Sequence, residues 1–346
     1  MDNIYKVKTQ LEESARFANS SVMGHDRLAV ILMDNLIEIQ LGRQMHFRFR
    51  TEFLNDYKTL KYPLDKRQEI LFNHDKLLKV CYEEGIITSH ERAMLGFCHD
   101  VRNRLYHKGD EDSLLIEIAL GILYEIILHR QPEWKGGSDI IRLPFNTDGT
   151  PIDMEHPFTK QRKKELGPIA YETGSKEDWL DFVKYNFKSL DKSQPPSKLL
   201  SEFLTVGIKR LRWALDYAIN CNEKKTNFDE LLLNYSFKIK HRDELQRVRE
   251  MRDKRAAKAM HDKLFKTYKQ TYRPLYEKRI DAFKAIANKL SSLSSGEALE
   301  KYISIRTDFF LMHDSFVLAA QETQNEMHAK VDKHLKKIKQ KTRSKK

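Results

Sequence analysis

Glycine and proline are scarce in this chain, at 13 and 9 of 346 residues, which leaves few places for a sharp turn. Long helices are the expected consequence. Apolar residues make up 40% and charged residues 32%, the balance of a charge-rich globular protein rather than a disordered one. The length suffices for two domains, each with a core of its own. The predicted class is all-α: a helical bundle over 1–131, a connector over 132–196, and a C-terminal helical domain with long charged helices over 197–346.

Helical spacing dominates the first 130 residues. In 28–41 the steps of three and four pick out Leu28, Ile31, Leu32, Leu36 and Ile39 as an apolar face. A second helix is predicted from about Asp65 to Glu84, with Ile70, Leu71, Leu77, Leu78 and Cys81 inward and Gly85 as its stop. Ser89 is the predicted N-cap of the next helix, whose apolar side carries Ala93, Met94, Phe97, Val101 and Leu105. Gly109 suits a left-handed cap just after His107-Lys108. Asp110 and Asp112 then put negative charge at the start of a closing apolar helix. That closing stretch, Leu114 to Leu128, contains Glu117 and Glu125 and is too short to span a bilayer, so it reads as buried.

Turn formers cluster in 131–196, where Asp-Gly in IIRLPFNTDGTPI predicts a short hairpin and WLDFVKYNF (179–187) a short helix. Beyond Ser197 the chain returns to helical spacing. His241 to Tyr268 reads as one long helix with a thin stripe of Leu245, Val248, Arg252, Met260 and Leu264, narrow enough to suit a partner chain. Pro274 should end it, with further helices over about 275–292 and 297–338. No internal repeat stands out.

The net charge of +12 favours polyanionic partners, nucleic acid first among them, although a solvated basic surface would give the same total. Cys81, Cys98 and Cys221 are odd in number and form no CxxC pair, which fits a reducing, cytoplasmic setting and suggests neither a disulfide framework nor a structural zinc site. The first residues lack the apolar core of a secretory signal. No membrane association is expected.

Chemistry concentrates in HDVRNRLYHKGD (99–110). Asn103 and His107 are four apart and share a helix face, whereas Arg102 is rotated from His107 by about 140°. A single helix would therefore need fraying at Gly109, or a second copy across a dimer axis, to bring guanidinium and imidazole together. A histidine near a helix C-terminus, beside an arginine able to grip phosphate, is what acid–base cleavage of a phosphodiester requires. Arg and His at one fixed spacing occur about once by chance in such a chain. An Asn directly after the Arg makes the match about twentyfold rarer. The competing structural reading gives Arg102 a salt bridge and His107 a capping role.

RNRLYH resembles the R-x4-6-H signature of HEPN domains, small helical bundles whose motif lies near the end of one helix before an apolar closing helix. The resemblance covers about residues 1–131 and says little of the rest. It implies a metal-independent endoribonuclease with no cofactor. The 2′-hydroxyl of RNA would attack the adjacent phosphate and leave a 2′,3′-cyclic phosphate and a 5′-hydroxyl. On that model His107 handles protons, Arg102 steadies phosphate charge and Asn103 orients the site, with Arg104, Tyr106 and Lys108 contacting RNA. The resemblance also implies a homodimer with two motifs facing each other, and a toxin or antiviral defence role with an antitoxin or defence-system protein as partner. Some relatives carry a modifiable Tyr two residues after the His. Here that position is Gly109, which puts such control in doubt.

Two other readings compete. A non-catalytic helical module would bind RNA or protein and use Arg102 and His107 structurally. An HD-type metal phosphohydrolase would draw on His74 with His99-Asp100, but no later Asp completes that set. No Gly-rich phosphate loop and no GxSxG is present. The basic tail (Lys333, Lys336, Lys337, Lys339, Lys341, Arg343, Lys345, Lys346) suits RNA backbone. Arg210, Arg212 and Trp213 mix base and aromatic, with Trp213 read as core of its amphipathic helix.

Overall fold

The computed structural model describes the backbone of residues 2–55, 60–108, 113–130, 176–221 and 227–343, and the side chains of most of them. Among these residues there are fourteen helices and no strand, so the class is all-α. The predicted hairpin lies outside the described residues, as do Gly109, Asp110 and Asp112. The chain divides into two compact units: Met1–Leu199 with Leu293–Glu300, and Leu200–Ser292 with Lys301–Lys346.

The first unit contains α1 (Asp2–Ala18), α2 (His25–Asn55), α3 (Leu64–Phe72), α4 (His74–Glu83), α5 (Ser89–Lys108) and α6 (Ser113–His129). Helix α2 is its spine, packing against α1, α3, α4, α5 and α6. Its buried side is Ala29, Val30, Met33, Leu36, Ile37, Leu41 and Met45, while Leu28 and Ile39 are exposed. The inward face is therefore rotated from the expected one, and Asp34 lies on it, 1% exposed.

The helix expected over 65–84 is two. Asn73 breaks it because its side chain accepts from Lys76 N at 3.0 Å and caps α4. α4 then ends in a Schellman arrangement: Gly85 takes φ +65°, Ile86 N donates to Cys81 O at 2.8 Å and Gly85 N to Tyr82 O at 3.0 Å. Thr88, not Ser89, caps α5, and Glu91 completes a capping box, with Glu91 N donating to Thr88 Oγ1 (3.1 Å) and Thr88 N to Glu91 Oε2 (2.8 Å). α6 is buried almost all round.

Helices α7 (Lys176–Asn186) and α8 (Lys188–Asp191) also belong to the first unit. Trp179 is fully buried and donates from Nε1 to Ile127 O at 2.8 Å, and Tyr124 donates to Asp191 at 2.7 Å. Residues 176–191 of the expected connector are thus packed structure.

Helix α9 (Pro196–Asn220) leads into the second unit, followed by α10 (Phe228–Lys240), α11 (Arg242–Glu250), α12 (Lys254–Thr271), α13 (Lys278–Leu290) and α14 (Ser295–Arg343). The long helix expected over 241–268 is interrupted, because Asp253 caps α12 by accepting from Arg255 N and Ala256 N. Its stripe packs within the chain: Leu245 and Tyr268 join Phe237, with Leu264 against them. Met260 is exposed. α12 ends at Thr271, just ahead of Pro274. Elsewhere in this unit Phe283, Tyr302, Phe309 and Phe316 are fully buried. Trp213, expected in the core, is 64% exposed and stacks on Tyr217 with centroids 5.5 Å apart.

Candidate functional site

Helix α5 stays helical through Lys108, so its backbone keeps Arg102 and His107 on different faces. The side chains of His107 and Lys108 lie outside the described ones. Of the other predicted residues, Asn103 is exposed, Arg104 half-buried, and Tyr106 69% exposed. Asn103 and Tyr106 are therefore accessible on this stretch of α5.

Arg102 faces the other way, toward α2. Its Nε lies 3.7 Å from Asp34 Oδ2 and its Nη1 3.8 Å from Glu38 Oε2. Both distances are ion-pair contacts too long for hydrogen bonds. Arg102 Nε has no hydrogen-bond partner although it is buried. The same nest holds two histidines. His99, one turn before Arg102, places Nδ1 3.0 Å from Asp34 Oδ2 and 3.5 Å from Arg102 Nη1. The shorter contact goes to a carboxylate, so Nδ1 carries the proton and donates to it. His74, the first residue of α4, stacks on His99 with ring centroids 3.5 Å apart and planes within 6°.

Three helices meet here for identifiable reasons. Asp34 sits one turn from Val30 and Ile37 on the packed side of α2. The Asn73 cap starts α4 at His74, and the Thr88 box fixes the start of α5. Burial, then the charge of the neighbouring His99, pulls the His74 imidazole down to about 4, Arg102 adds to this, and Asp34 and Asp75 only partly oppose it. His74 is therefore neutral at pH 7. His74 Nδ1 and Asp34 Oδ1 are both buried without a hydrogen-bond partner.

The structure thus joins Arg102 to His99, His74, Asp34 and Glu38. The carboxylate beside the two histidines is Asp34, not Asp100, which is exposed. Asp34 and Glu38 were not singled out from sequence; the available signal was an acid at helical spacing within an apolar run. Among the described residues, Asp34, His74 and His99 offer donor atoms that all lie within 4.8 Å of one another. A separate cavity of about 700 Å³ in the first unit is lined by Arg48, Lys61, Glu84 and Arg130 among others.

No family model matches the chain, and no curated protein or solved structure gives a significant match. Among the described residues, no helix is long and apolar enough to cross a membrane.

Proposed function

We propose that the chain is a metal-independent endoribonuclease of the HEPN type, acting as a homodimer on RNA. Arg102, Asn103 and His107 form its core, and Arg104, Tyr106 and Lys108 contact the substrate. The observation that carries the reading is the state of Arg102. Its guanidinium is held by two carboxylates at ion-pair distance while the side chain stays 23% exposed. Such a group is oriented, and its exposed edge, not the buried Nε, is the part that would meet phosphate oxygens. Asn103 and Tyr106 are accessible on the same stretch of α5.

In this reading the 2′-oxygen attacks phosphorus, the bond to the 5′-oxygen breaks, and that oxygen takes up a proton. His107 serves the proton transfers and Arg102 offsets the charge that builds on phosphate. The pairing of two α5 ends overcomes the angle between Arg102 and His107. A toxin or defence role in the cytoplasm, restrained by an antitoxin or defence-system protein, accords with this chemistry.

A second observation favours RNA binding in its own right. In the second unit Lys209, Arg210 and Trp213 are exposed on α9, with Tyr217 stacked on Trp213. Bases stack on such rings while cations follow the phosphates.

The test is incubation of purified protein with mixed RNA in chelator, alongside Arg102→Ala and His107→Ala. Loss of cleavage in both variants, with helical content kept, is expected. Equal cleavage by wild type and variants removes the proposal.

A further inference from the structure

We propose that Asp34, His74 and His99 form a binding site for a divalent d-block cation of the zinc type. One carboxylate and two imidazoles are a usual ligand set for such ions, and leave a fourth position for water or another ligand. The three come from α2, α4 and α5, and their donor atoms lie within 4.8 Å of one another. No spacing along the chain advertises the set, because Asp34 and His99 are 65 residues apart.

Two features point to a ligand rather than to packing alone. Asp34 Oδ1 and His74 Nδ1 are buried and unpartnered, and such atoms are costly unless something satisfies them. The surroundings also supply carboxylates, with Asp34 and Glu38 facing the one guanidinium of Arg102. Binding requires the parallel rings to splay so that their nitrogens converge, with the ion replacing the hydrogen bond between His99 and Asp34. Arg102 would then rest on Glu38. The burial around Asp34, 1% exposed, keeps water from competing for the carboxylate.

This inference is independent of the nuclease reading, which uses no metal. The probe is cobalt chloride titrated into metal-free protein without RNA, followed by visible absorption. One ion per chain with the intense bands of a four-coordinate site is expected, displaced by zinc. His74→Ala and His99→Ala should each weaken binding by about a hundredfold, since one of three protein ligands is lost. His46→Ala, an exposed histidine on α2, should leave it unchanged. In wild-type protein, substoichiometric zinc should shift the ring-proton resonances of His74 and His99 before those of other histidines, a readout free of folding defects. No saturable binding, equal binding in wild type and His74→Ala, or first shifts at other histidines would overturn the proposal.

Discussion

Replacing Trp179 by Ala tests whether residues 176–191 are part of the first unit's core. The indole is fully buried, lies 6.0 Å from the Phe182 ring between centroids, and donates to Ile127 O at 2.8 Å. Truncating a buried Trp costs about 3–5 kcal/mol in transfer and cavity terms. The orphaned Ile127 carbonyl adds about 1 kcal/mol or more unless water enters the space. A loss of about 4 kcal/mol is a large share of the roughly 5–15 kcal/mol that holds a domain folded. Trp179→Phe keeps most of the volume and loses the hydrogen bond, so about 1–2 kcal/mol is expected. Urea unfolding followed by far-ultraviolet circular dichroism reads both. At about 2 kcal/mol per M the Ala midpoint should fall by about 2 M. A fall of under about 0.5 M would instead mark the segment as a peripheral connector.

Other outcomes follow from single contacts. Gly207→Ala places a Cβ 2.6 Å from Phe309 Cζ, a ring that is 1% exposed, so a net loss of about 1–2 kcal/mol is expected despite alanine's better helix propensity; unchanged or raised thermal stability would contradict this. Burial pushes the Glu91 carboxyl up, but hydrogen bonds from Arg130 and Thr88 prevail and hold it below its usual 4.5. Its stabilising effect is therefore present above that pH and lost as pH falls through the lowered value; the acid limb of the stability curve should be shallower in Glu91→Gln, and an identical limb would count against the sign. Trp213→Ala with Lys209→Ala and Arg210→Ala should weaken single-stranded RNA binding and flatten its salt dependence by about 0.7 per phosphate contact removed; an unchanged slope in filter binding would exclude this face.

Much of the helical order was legible in the sequence. Scarce turn formers set the class, and an almost wholly apolar stretch marked α6. Period counting misjudged α2 because apolar residues occur nearly all round it. Steps begun at Leu28 and steps begun at Val30 both look helical, and only packing selects the second. That choice hid Asp34, the hub of the site. Asn73 and Asp253 divided helices that periodicity ran together, because a side chain that caps the backbone breaks a helix without disturbing the apolar count. Trp213 looked like core because amphipathic helices usually bury tryptophan. Arg102 was legible from its motif, whereas its carboxylate partners come from a helix more than sixty residues earlier.

The proposed reaction is cleavage of RNA at the end of α5 without metal. The most direct measurement is the chemistry left on RNA cut by wild-type protein in excess chelator. The expected result is 2′,3′-cyclic phosphate and 5′-hydroxyl termini, released at the same rate with or without chelator. Termini bearing 5′-phosphate, or cleavage that stops when metal is removed, would contradict it.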